Sequence, residues 1–107
     1  MWKPAKNLED HFLVSIDGKI KNKKTGRILK TSEDNRGYFK IVSRIGGRKG
    51  KVVHIKPHRI VAETFIPNHD NHPVVNHKDG NKKNNHIDNL EWCSYSYNTY
   101  HYYKELK

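Results

Sequence analysis

Asn76 and His77 stand together between the apolar pair Val74-Val75 and the polar run Lys78-Asp79-Gly80. Histidine has the ordinary pKa closest to neutrality, so it can take a proton from water. Asparagine offers a carbonyl oxygen, a donor that suits Mg²⁺. That ion keeps several waters and often borrows substrate phosphate oxygens as ligands. A base beside a metal is what hydrolysis of a phosphate ester needs. The base activates water, and the metal neutralises charge growing on the phosphate and leaving oxygen. Neighbours on an ideal strand face opposite ways, so Asn76 and His77 serve one centre only if the strand end twists there. Asp79-Gly80 is a hairpin-type turn signal. Asp79 is expected to form that turn rather than to bind metal.

The elements around this pair are legible from pattern. Val74-Val75 leads in as a short strand, an Asn-rich loop spans Asn81 to Asn89, and Leu90-Glu91-Trp92-Cys93 returns as a second strand. Ser94 is a good N-cap for a last helix from Tyr95 to Leu106. Upstream, Pro57 suits the first turn of a helix over His58 to Ile66, with Ile60, Val61, Thr64 and Phe65 at helical spacing and Pro67 ending it. Residues 11–56 read as β-rich. Candidate strands are Phe12 to Ile16, Lys19 to Asn22, Arg27 to Lys30, Tyr38 to Val42 and Val52 to Ile55, with Gly46-Gly47 and Gly50 in a basic loop. The expected fold class is α+β: a small antiparallel N-terminal sheet over 1–56, then a second module with a support helix over 57–107.

The 107 residues carry 21 Lys and Arg against 11 acids, for a net charge of +10, and only 34% are hydrophobic. The excess is a block. Residues 19–59 hold fourteen Lys and Arg and two acids, while each flank has one more acid than base. Segregated positive charge fits a polyanion better than it fits solubility alone. The lone Cys93 can form neither an internal disulfide nor a Cys-paired zinc site. There is no apolar run near the ~20 residues that span a bilayer, and Met1-Trp2-Lys3-Pro4 lacks a signal peptide's apolar stretch. A soluble, cytoplasmic protein is the expectation.

Val75-Asn76-His77-Lys78-Asp79-Gly80-Asn81-Lys82, Asn84-Asn85 and Asn89-Leu90-Glu91-Trp92 resemble the HNH module of phage and intron homing endonucleases. His58 to Ala62 and Phe65-Ile66-Pro67-Asn68 resemble the same branch. Trp2-Lys3-Pro4 with Phe12 to Ile20 is similar to the short modular domain that often precedes it. The resemblance implies a ββα-metal arrangement that hydrolyses phosphodiester bonds to 5′-phosphate and 3′-hydroxyl ends. It also implies roles by position. His77 is the general base, Asn76 and Asn98 are the metal ligands for one Mg²⁺ or Mn²⁺, and Asn89 ties the loop and helps orient the histidine. Two neutral ligands predict weak metal binding until a scissile phosphate completes the site.

Double-stranded DNA is the implied partner. Lys19, Lys21, Lys23, Lys24, Arg27 and Lys30, with Arg44, Arg48, Lys49 and Lys51 of the Gly-rich loop, are the candidates for contacts to its backbone. The main reading is a divalent-metal endonuclease or nickase; the alternative is a non-catalytic DNA-binding protein that keeps the fold. Monomer and homodimer are both open, and a monomer with one centre should nick. His54 and His58 share a zinc-like spacing, but Pro57 breaks a continuous helix through them. His58 is expected to pack near the active centre, Trp92 to belong to the core, and His69, His72, His86 and His101 to be solvated. Asn89 is also placed to cap the turn at Ile87-Asp88.

Overall fold

The computed structural model describes residues 1–101. Three small antiparallel sheets surround one helix. β1 (Trp2–Pro4), β2 (Phe12–Ser15) and β3 (Ile20–Asn22) form the first, in chain order. β4 (Ser32–Glu33), β5 (Phe39–Ile45) and β6 (Lys51–Ile55) form the second, and β7 (Val74–His77) pairs with β8 (Leu90–Cys93) in the third. Helix α1 (Pro57–Phe65) lies between them, and α2 (Tyr95–His101) follows β8. The expected continuation of α2 to Leu106, with Tyr102 and Tyr103, lies outside the described residues.

α1 is built to be central. Pro57 occupies its first turn, where a missing N–H costs nothing, and Pro57, Ile60, Val61 and Ala62 are buried. It packs on β2, β5, β7 and β8, so it touches all three sheets. Phe12, Val14, Ile20, Ile41 and Val61 are each at most 1% exposed, and they share one cluster with Ile55, Ile60, Val75 and Leu90. Burying each such side chain is worth roughly 1.5–3 kcal/mol. The core therefore crosses residues 56–57, and the β-rich half and the second module are folded against each other. Thr64 adds a polar tie, its Oγ1 accepting from the Lys6 N–H at 3.1 Å.

Some expected elements shift. Arg27 to Lys30 is no strand; it makes only one bridge, Ile28 opposite Lys21. Strands β1 and β4 were not foreseen; they have three and two residues and occupy sheet edges. β5 runs to Ile45, beyond the expected Val42, because its register with β6 continues from Ile41 opposite Ile55 to Ile45 opposite Lys51. Within the basic loop Gly47–Lys49 winds into a single 3₁₀ turn. Thr64 and Phe65 are only partly buried, and Ala62 takes the buried place on α1. No helix among the described residues is long and apolar enough to cross a membrane.

Candidate active site

β7 and β8 pair with Val75 opposite Trp92, Asn76 opposite Glu91 and His77 opposite Leu90. Unlike a strand with one wet face, β7 buries both its polar residues: Asn76 is 6% exposed and His77 5%. Each therefore needs a partner. The Asn76 amide donates from Nδ2 to Glu91 Oε1 at 3.0 Å. The His77 ring turns instead to the loop, where Nε2 lies 2.8 Å from Asn85 Oδ1. An amide oxygen only accepts, so this contact is a hydrogen bond in the tautomer with the proton on Nε2 and the lone pair on Nδ1.

The Asn-rich loop that joins the strands is knitted by its own side chains. Gly80, with φ 77°, makes the tight turn, and its N–H reaches His77 O at 2.9 Å. Asp79 accepts at Oδ1 from the Asn81 N–H (2.7 Å) and from Asn89 Nδ2 (2.9 Å), and at Oδ2 from Asn84 Nδ2 (2.9 Å). Asn89 also accepts from the Asp79 N–H at Oδ1 (3.0 Å) and donates to Asn84 O (2.9 Å). These bonds lower the Asp79 carboxyl pKa, the Asn84 amide contributing most and the Asn81 N–H next. Asp79 is thus the turn former. Asn89 ties the loop, but the side chain on the histidine ring is that of Asn85. Nor does Asn89 cap the 3₁₀ turn Ile87–Asn89; His86 does so, accepting from the Asp88 N–H at 3.1 Å. His86 and His72, expected to be solvated, sit 3.6 Å and 3.7 Å from the carboxylates of Asp88 and Asp70.

Three rings close the other side. Tyr38 stacks on His58 with centroids 5.0 Å apart, and the His77 ring lies 5.3 Å from His58 and 5.8 Å from Tyr38. Lys82 donates to Arg36 O at 2.8 Å with its ammonium 4.9 Å from the Tyr38 ring, and Lys83 pairs with Glu33. The β4–β5 turn thus grips the loop that follows His77. Burial lowers the His77 pKa against the opposing pull of Asn85, and both histidines stay neutral near pH 7.

Burial, with the neighbouring His77 next, pushes His58 down to about 4. The unfolded chain binds a proton below about 6.5 that folded His58 refuses. Stability should therefore fall as pH drops from about 6.5 to about 4, with roughly 3 kcal/mol of the loss coming from His58. Urea melts across this range check it: His58→Gln should show a shallower acid loss than the wild type.

Asn76 Oδ1 carries no donor from the described residues, although the side chain is buried. That leaves a carbonyl oxygen available to a hard cation. α2 packs on β7, and Asn98 is the half-buried position in the stretch 95–99, whose other members are exposed. Its face of α2 is turned to the protein. No cluster of three or more His, Cys, Asp or Glu that could hold a metal is found among the described residues. An unbonded amide oxygen such as that of Asn76 suits a hard divalent ion that also takes water and phosphate ligands. Sequence reasoning missed Glu91 as a partner of Asn76; only the strand register places it opposite. Cys93 is buried and its thiol is pushed up to about 11, by burial first and Glu91 second, so it offers no thiolate. Trp92 donates its indole N–H to Ile66 O at 3.0 Å and packs, half-buried, against the core.

The proposed backbone-contact residues fall around β3, on the segment that follows it, and around the β5–β6 turn; Lys19 and Lys30 line one cavity with Asn85. Lys24, Arg27, Lys30, Arg48, Lys49 and Lys51 are exposed. Lys19 pairs loosely with Asp17 at 3.9 Å, Lys23 reaches Glu9 O at 3.4 Å, and the Lys21 ammonium sits 4.3 Å from the Trp2 ring. Arg44 spans the turn to Arg48 O and Gly50 O at 3.5 and 3.4 Å.

Residues 56–100 match the family described as HNH endonuclease, and residues 1–44 match the NUMOD4 motif. The chain is 41% identical over 101 residues to an HNH endonuclease of Acanthamoeba polyphaga mimivirus, covering 94% of this chain and 29% of that one. It is 40% identical over 97 residues to DNA endonuclease I-HmuI of Bacillus phage SP01, covering 91% and 54%. The solved structure of the HNH homing endonuclease I-HmuI, described for DNA binding and cleavage, superposes with a TM-score of 0.84 at 36% identity, over 96% of this chain and 57% of that one. The chain thus spans little more than half, or less, of these relatives. It carries an HNH endonuclease domain at residues 56–100 behind a NUMOD4 motif at residues 1–44, in the α+β fold of the I-HmuI homing endonuclease.

Proposed function

We propose that this chain is a divalent-metal-dependent DNA endonuclease that hydrolyses phosphodiester bonds with His77 as the general base on water. The observation that carries this is the setting of His77: Nε2 lies 2.8 Å from Asn85 Oδ1, burial lowers the ring's pKa, and no described residue bonds Nδ1. Asn76 and Asn98 would hold the ion. When bound, it neutralises charge on the phosphate and the leaving oxygen. Water gives one proton to Nδ1 as its oxygen attacks phosphorus; the P–O3′ bond breaks, the departing 3′ oxygen takes a proton from solvent, and the products carry 5′-phosphate and 3′-hydroxyl ends. The basic block around residues 19–59 binds the DNA backbone and sets position more than sequence.

Supercoiled plasmid in Mg²⁺ or Mn²⁺, with EDTA as control, tests the proposal. Open circles identify a nickase, and direct linear product points to a dimer or paired nicks. Binding without cleavage in either metal would instead support a DNA-binding protein that keeps the fold.

Glu91 gives a separate prediction. By accepting from Nδ2 it fixes which end of the Asn76 amide faces away, and so aims Oδ1. Glu91→Ala is expected to weaken Mn²⁺ binding about 10-fold to 100-fold, read by calorimetry in the presence of uncleavable phosphorothioate DNA. Glu91→Gln, whose carbonyl still accepts, should weaken it less.

A further inference from the structure

We infer that Asn85 is a positioning residue that fixes the tautomer of His77, and that the N-terminal half holds Asn85 in place through the turn at Gly18. This rests on the reading of His77 as the base. Asn85 is 5% exposed, and its Oδ1 is spent on His77 Nε2 at 2.8 Å. That bond commits the ring proton to Nε2 and leaves the lone pair on Nδ1. Without it the ring is free to adopt the other tautomer or to turn over, and the lone pair no longer meets water where the phosphate needs it.

What keeps Asn85 there comes from the other end of the sequence. A Cβ on Gly18 would lie 2.6 Å from Asn85 Cβ and 3.1 Å from its carbonyl oxygen, so only glycine lets the β2–β3 turn approach this closely. Gly18 also has φ 91°, a conformation that favours glycine. Two residues beyond Asn85, the Ile87 N–H donates to Ile16 O at 2.9 Å. The β2–β3 turn is thus a wall against which the loop and its asparagine are pressed. The motif preceding the nuclease domain then has a second task besides meeting DNA: it sets the geometry of the base.

The test reads the tautomer and the rate separately. Long-range ¹H–¹⁵N correlation spectra of the intact protein should show His77 as the Nε2–H form. Asn85→Leu keeps the volume and removes the acceptor. It should mix the tautomers and lower kcat about tenfold or more, within the 10²–10⁴-fold that a positioned base supplies, with Kd for DNA unchanged. Asn85→Asp keeps an oxygen and should restore most of the rate. An Nδ1–H ring in the wild type overturns the inference whatever the variants do. So does an Asn85→Leu enzyme of wild-type kcat when His77→Ala is inactive. If His77→Ala itself retains activity, the reading of the base has failed instead, and the spectrum still decides whether Asn85 holds the ring.

Discussion

His77→Ala is expected to lower the cleavage rate about 10²-fold to 10⁴-fold, or roughly 3–5 kcal/mol in the barrier, while DNA binding stays near that of the wild type. The split follows from where the residue lies. His77 is buried among Asn85, His58 and Tyr38, and the exposed cations that face solvent belong mostly to other elements. On the proposed reading, removing the ring removes the proton acceptor and leaves the basic surface as it was. The pH dependence has a definite sign. Burial holds the folded pKa of His77 below the usual 6.5, so the base is already free at neutral pH. The rate should be flat around neutrality and fall only as pH drops through that lowered value. Steady-state kcat against pH, with metal and DNA saturating, checks this; a rate that keeps falling from pH 8 downward would show a base whose pKa is raised rather than lowered.

How much of this could be read from residues alone depended on the range of the interaction. His77, its flanking strands and the turn at Asp79-Gly80 were visible because alternation and turn chemistry act over a few residues. Pro57 and the apolar spacing after it marked α1 for the same reason. Asn85 was not visible as the partner of the histidine. It stands among Asn81, Asn84 and Asn89, and nothing local distinguishes the one whose side chain reaches the histidine from Asn84 and Asn89, which turn to Asp79, or Asn81, which accepts from the Lys83 N–H. The distinction is made by Gly18, sixty-seven positions earlier. Glu91 needed the register of β7 against β8, which a sequence pattern gives only to within a residue or so. β1 and β4 are too short to carry a period, and β1 ends in a proline that an edge strand tolerates. The charge block, by contrast, was legible but incomplete as a map. Lys21 rests on Trp2 and Arg44 on loop carbonyls, so part of that charge is spent on the protein's own structure.

The same long-range dependence makes Phe12→Ala the most damaging single core change to test. Phe12 is 1% exposed and is among the largest fully buried side chains; it lies on β2, which packs on α1. Its removal should cost about 3–5 kcal/mol through lost burial and the cavity left behind, against a total of roughly 5–15 kcal/mol for a domain. The shared core from Phe12 to Leu90 says that this loss cannot stay in the N-terminal sheet. Two tryptophans allow that to be measured, because Trp2 lies on β1 and Trp92 on β8. Urea melts followed by fluorescence in Trp2→Phe and Trp92→Phe proteins report the two halves separately. With Phe12→Ala added to each, both midpoints should move down together by the same free energy, and cleavage should be lost over that same transition. A Trp92 signal that held its midpoint while the Trp2 signal shifted would mean that the nuclease domain stands without the motif before it. The β2–β3 turn could not then be what holds Asn85, since its loss would leave the domain unmoved.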